Sequence, residues 1–235
     1  MTADEVLAEL AALGNESIKK VLLRHGAKEP FYGVKVEDLK KIQKRTKKDH
    51  ALALALYDTG ISDAMYLAGM IAEPAKVKKS ELQKWAKKAY WHMLTDYVVA
   101  PLAAESPHGA ELAREWVDSP KETIASAGWA TWSLLAATKP DAELDLDELK
   151  GLLERVESDI HAAPNRVRYT MNGFVIAVGS YVTPLSEAAK ATARAVGPVE
   201  VNMGETACRV PLAAEYIEKV ERAGKQGRKR KSAFC

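Results

Sequence analysis

At 235 residues, with 47% hydrophobic and 28% charged side chains, the chain has ample material for a core and the balance of a water-soluble globular protein. No apolar run approaches the roughly 18–20 residues of a membrane span, and with acidic residues at the N-terminus and no apolar segment behind them no secretory signal is expected. Cys208 and Cys235 match no zinc spacing, so no metal or other cofactor is expected and a reducing cytoplasm is the expected location.

The net charge of +2 conceals a segregation. Residues 1–48 hold 11 Lys and Arg against 7 Asp and Glu, residues 101–160 hold 5 against 13, and residues 161–235 hold 12 against 6. Basic ends around an acidic middle suit a polyanionic partner meeting the ends of the chain, although solvated helix faces carry charge for no such reason.

Helix signals then follow one another along the whole chain. Thr2 caps a helix through Leu13 that Gly14 stops, and Asn15 caps the next, which is expected to bury Ile18, Val21 and Leu22 before Gly26 ends it. A loop leads to Val36–Ile42, basic on its outer face. Asp49 opens His50–Tyr57, Ser62 caps a helix to Ala72, and Ser80-Glu-Leu-Gln opens another. Two helical segments follow near 91–105 and 108–117. Further helices are expected from Lys121 to Thr138, from Asp145 or Asp147 to about Asp159, over Asn165–Val182, from Pro184 to Val196, and from Pro211 to Ala223. The alternating stretch from Pro198 to Met203 is too short to build a sheet and reads as an extended loop.

Short links between helices of about 8–18 residues favour antiparallel neighbours. The expected fold is therefore all-α: a HEAT-like or armadillo-type solenoid of stacked helical hairpins, curved with a concave face, forming one domain over residues 1–223. Residues 224–235, basic and rich in helix breakers, are expected to be a flexible tail, either soluble or touching phosphates. A monomer is expected, since each repeat can bury its face on its neighbours.

Phosphate-loop, zinc-protease and nucleophile-elbow patterns are all absent, and the five histidines show no metal-ligand spacing. Two helices are unusual. In the first, Trp91 and Thr95 share one side, and His92 and Asp96 stand four residues apart, close enough to touch. The Asp in that helix either faces solvent with its histidine or serves a site. In the second, Arg168 and Asn172 share a face with Asn165 one turn earlier, while Val167, Met171 and Phe174 line another; Asn165 reads equally as a plain cap and Arg166 as an exposed charge. Gly173, inside a helix, suggests close packing or close approach of a ligand. Trp129 and Trp132 fit core packing better than a stacking platform.

The order of these features resembles the AlkD-like DNA alkylation repair family. Tyr32-Gly-Val-Lys-Val-Glu-Asp-Leu-Lys-Lys-Ile42 is similar to a Gly-Val-x-x-x-x-Leu-Arg-x-Ile element near the start of those proteins, and Ser80-Glu-Leu-Gln-Lys-Trp85 with the following Trp/Asp helix keeps their layout. The resemblance covers most of residues 15–180, with Cys208-Arg-Val-Pro211 and the tail similar to a distinct bacterial branch. It implies a concave face that cradles duplex DNA, alkylated or otherwise damaged, and excision of N3- or N7-alkylated purines without base flipping. A carboxylate and aromatic faces would stabilise an oxocarbenium-like sugar.

Carried onto this chain, the family's Trp-x-x-x-Asp falls on His92 and Asp96 when the Asp is matched, and on Trp91 and Thr95 when the Trp is matched. Asp96 is preferred as the carboxylate, with Trp91 or His92 beside the sugar. The family's second tryptophan falls on Phe174. Its arginine falls on Ala125, Ser126 or Ala127 and is missing, unless Arg166 or Arg168 compensates. Lys40, Lys41, Lys44, Arg45, Arg166, Arg168 and Asn172 are the expected DNA contacts. A DNA glycosylase is the first expectation. The alternative is a non-catalytic helical-repeat protein that binds DNA structure or a protein partner.

Overall fold

A computed structural model describes residues 1–234; Cys235 lies outside the described residues. Thr2 and Glu5 close a reciprocal capping box over helix α1 (Ala3–Leu13), and the Asn15 side chain accepts from two backbone amides at the start of α2 (Glu16–Arg24). The chain continues through α3 (Val36–Thr46), α4 (His50–Asp58), which Asp49 caps, α5 (Ser62–Ile71) and α6 (Lys79–Lys88). Next come the single turn α7 (His92–Leu94), a π-helical turn (Thr95–Val99), α8 (Ala100–Glu105) and α9 (Gly109–Val117). The second half holds α10 (Glu122–Thr138), α11 (Leu146–Asp159) capped by Asp145, α12 (Asn165–Tyr181), α13 (Ser186–Val196) and α14 (Ala213–Arg222). No strand occurs among the described residues, and none of their helices is long and apolar enough to cross a membrane.

The fold is HEAT-like: neighbouring helices pack as hairpins, α4 on α5 and α9 on α10, and α10 lies along α12 as the spine of the second half. Buried apolar residues form two clusters. One runs from Val6 to Ala127 and includes a parallel stack of Tyr57 and Trp85 with ring centroids 3.9 Å apart. The other runs from Ala104 to Ala233 around Trp129 and Phe174. Trp129 and Trp132 are core, as expected.

Two local expectations are corrected. Helix α2 buries none of its residues: Ile18 and Leu22 are half-buried and Val21 is exposed, because α2 covers an edge of the stack. Gly173 has open space where a side chain would stand. Close approaches occur at other glycines, among them Gly179 on the same helix, against Ile217, and Gly69 of α5, where an added Cβ would meet Cγ1 of Val98 in the π-helical turn at 2.7 Å.

Where a flexible tail is expected, residues 225–234 are docked. The Gly227 amide donates to the Ser180 carbonyl (2.9 Å), the Arg230 amide to Ala137 (2.8 Å), and Lys229 Nζ to Ala136 (2.8 Å) while also pairing with Asp141 (2.8 Å). Lys229 thereby meets the carbonyl end of α10, where a cation is favourable. Beyond it the Ala233 amide and the Ser232 hydroxyl both donate to Glu105. Ala233 is buried in the second cluster, and Phe234 packs on the first with Lys48 Nζ 5.3 Å above its ring. This segment is a strap joining both cores.

Candidate functional site

Asp96 sits in the π-helical turn. A π turn inserts one residue into the i→i−4 ladder, and such insertions often re-aim side chains at functional sites. Here it separates the expected His92–Asp96 pair. The Asp96 carboxylate accepts from Arg166 Nη2 at 2.9 Å, from Ser126 Oγ at 3.1 Å and from its neighbour Thr95 Oγ1 at 2.9 Å. His92 turns its ring edge-on to Trp91, centroids 5.2 Å apart, and makes no hydrogen bond to Asp96. The Asp96 side chain is 9% exposed and that of Arg166 18%, so this is a largely buried ion pair between the middle of the chain and α12.

Burial pushes the Asp96 carboxyl above its usual range, and the Arg166 charge and the three hydrogen bonds offset only part of that. Burial, then the charge of Arg166 and the nearness of His25, pull His92 down to about 4, so its imidazole is neutral at ordinary pH. Arg166 is fixed on two further sides. Its guanidinium lies over the Tyr169 ring at 4.3 Å, and its backbone amide donates to Glu122 at 2.7 Å.

Beside this pair is a cavity of about 310 Å³ reached by His25, Trp91, His92, Ser126, Arg166 and Asn202. It is roofed by the loop that sequence reading took as extended. Asn165 and Asn202 hold each other by two bonds, side chain to backbone carbonyl at 3.0 Å and backbone amide to side chain at 2.7 Å. The Glu205 amide then reaches the Arg24 carbonyl at the end of α2 (3.0 Å). Loop 198–212 thus ties α12 to α2 across the cavity.

The other expected site residues scatter. Trp91 is 6% exposed, with its indole N–H donating to Ser62 Oγ at 2.8 Å, and reaches the cavity only with part of its ring. Phe174 is fully buried and packs edge-to-face on Trp129 at 5.4 Å, so it presents no face to a ligand; it is core because it sits on the apolar side of α12. Asn172 is 3% exposed and donates to the Pro211 carbonyl (3.0 Å), anchoring the loop, which corrects its expected role on DNA. Arg168 leaves the Asp96 cavity for the far side of loop 198–212, beside Cys208 and Arg209. On α3, Lys41 pairs with Asp38 (2.7 Å) and Arg45 with Glu9 (2.5 Å), whereas Lys40 and Lys44 are exposed and have no ion pair among the described residues. Sequence reading missed Glu122 and the loop anchor Asn202. It met Ser126 only as a position where the family's arginine is absent, and nothing in a single sequence signals a partner 30 residues away.

A family model described as DNA alkylation repair enzyme matches residues 6–194. The chain belongs to the DNA alkylation repair family. Its relatives in that family include two uncharacterised Listeria proteins, Lin0241 of Listeria innocua and Lmo0209 of Listeria monocytogenes. Each is 36% identical over 225 residues, spanning 93% of this chain and 97% of the relative. A solved structure is similar over the whole of both chains, with 38% identity and a TM-score of 0.91. It belongs to a group described as a new family of proteins related to the HEAT-like repeat DNA glycosylases with affinity for branched DNA structures. In this member of the DNA alkylation repair family, Asp96 of the π-helical turn is paired with Arg166 of α12.

Proposed function

We propose that this protein binds branched DNA and that its Asp96 centre serves structure rather than base excision. The observation that carries this reading is the engagement of Asp96. Both carboxylate oxygens already accept bonds, from Arg166, Ser126 and Thr95, in a pair with little exposure. A carboxylate that stabilises an oxocarbenium-like sugar must approach it closely and offer unbalanced charge. The aromatic face expected opposite it, Phe174, is fully buried. Support for the DNA partner comes from family membership, from the branched-DNA affinity of the 38%-identical structure, and from Lys40 and Lys44 of α3, which have no ion pair among the described residues.

One observation favours a second reading, excision of alkylated bases. Arg166 brings a guanidinium to Asp96 at 2.9 Å and so fills the place of the arginine missing from α10. The two readings separate in one experiment on the full-length protein. Binding to a four-way junction and to plain duplex is measured, together with release of free base from duplex carrying N7-methylguanine, for wild type and Asp96→Asn. Junction preference without base release supports the proposed reading. Release that falls by orders of magnitude in Asp96→Asn replaces it with the second.

A further inference from the structure

We propose that the cleft beneath the C-terminal strap is a binding site for one unpaired nucleotide, the kind that a branch point leaves outside the base stack. The inference deepens the DNA-binding reading above and rests on it. The cleft encloses about 320 Å³ and is distinct from the cavity at His92 and Arg166. Lys40 of α3, Tyr66 of α5, Asp96 and Tyr97 of the π-helical turn, and Arg230 and Phe234 of the strap reach into it. This volume is far too small for a duplex and stands at the lower end of the roughly 300–1,000 Å³ of small-ligand sites.

The lining has the two chemistries a nucleotide needs. Three aromatic side chains line it, and Tyr97, 42% exposed, is the one against which a base can stack. Such stacking tolerates any base and is combined with cations that track the backbone wherever single strands are held. Lys40 stands at the rim, exposed and without an ion pair among the described residues, and Lys44 follows one helical turn along α3. Together they mark a phosphate path leading to the cleft. Lys48 is differently employed. Its Nζ donates to the carbonyls of Met70 (3.1 Å) and Ala72 (2.8 Å) at the end of α5 and lies over Phe234, which fixes that wall. An acidic peptide would use the cations but leave the three rings without a role.

The test compares dissociation constants for a nicked duplex and for the same duplex carrying a single-nucleotide 5′ flap. The proteins are wild type, Tyr97→Ala, Tyr97→Phe and a chain ending at Lys231, each with its melting temperature checked. The wild type is expected to prefer the flap by about 5-fold or more, the low end for one stacked base. Tyr97→Ala and the shortened chain should bring the two substrates within about twofold while binding of the nicked duplex is unchanged, and Tyr97→Phe should keep the preference. Equal wild-type affinity for the two DNAs, or equal weakening on both in Tyr97→Ala, overturns the nucleotide cleft and leaves the DNA-binding reading standing. Failure of the wild type to bind either DNA overturns both.

Discussion

The basic face of α3 and the Asp96–Arg166 centre are both sets of charged residues that stand out in the sequence, yet the fold treats them oppositely. Lys40 and Lys44 are exposed with no ion pair among the described residues, while Asp96 and Arg166 neutralise each other inside the stack. Charge left unpaired at a surface contributes little to stability and is free to attract phosphate. Charge brought inside must be matched, and once matched it holds helices together. The difference teaches that a conspicuous ionisable residue in a repeat fold is a ligand contact or a fastening according to whether its counter-charge comes from the protein.

The comparison breaks most readily at the fastening. Asp96→Ala leaves the Arg166 guanidinium largely buried without its partner, which costs about 3–5 kcal/mol for pairs of this kind. Thermal unfolding should shift down by on the order of 10 °C, and the double variant Asp96→Leu/Arg166→Leu should regain much of it. A shift of a degree or two for Asp96→Ala would mean the pair is not a fastening.

The opposite behaviour is expected of α3. Lys40→Ala/Lys44→Ala should leave the melting temperature unchanged and weaken DNA binding by about tenfold at moderate salt. It should also lower the slope of log affinity against log salt by about two, one per lost phosphate contact. An unchanged slope in a titration from low to high salt would remove these lysines from the interface.

Asn172→Ala is expected to cost about 1 kcal/mol, measured by urea unfolding, through loss of its bond to the Pro211 carbonyl, with DNA affinity untouched. A fall in affinity without loss of stability would return Asn172 to the interface.

The smallest effect is a pH dependence from His92, whose ring is partly open to solvent. In the unfolded chain it protonates near 6.5, in the folded protein near 4. Between those values the unfolded chain binds more protons, so stability rises with pH from 4 to 6.5 and this contribution is flat above. His92→Gln should flatten that part of a stability–pH curve, and an unaltered curve would show the ring to be free in solution.

The helices were largely legible in the sequence because their signals are local. Thr2, Asn15, Asp49 and Asp145 each cap the helix they were expected to open, and Gly14 ends α1. The site was legible only in part, because its decisive contacts are not local. The His92–Asp96 spacing implied a touching pair, but the π-helical turn rotates Asp96 toward partners 30 and 70 residues away. Phe174 and Asn172 lie on α12 faces whose burial depends on α10 and on loop 198–212, and no periodicity in α12 itself encodes that. The basic tail read as breaker-rich and loose because its anchors, Ser180, Ala137 and Glu105, are distant in sequence and mostly backbone carbonyls.

The strap also bears on how the chain reaches its final form. Helical repeats form by propagation between neighbours, with short loops to close and little entropy to overcome. The bonds from Ser232 and Ala233 to Glu105 instead span 127 and 128 residues, and they close only after the helices between are in place. The strap is therefore the last segment to settle when the protein refolds. Its amides at Gly227, Arg230 and Ala233 should exchange hydrogen sooner than those of α10 and α12, opening without the repeats coming apart.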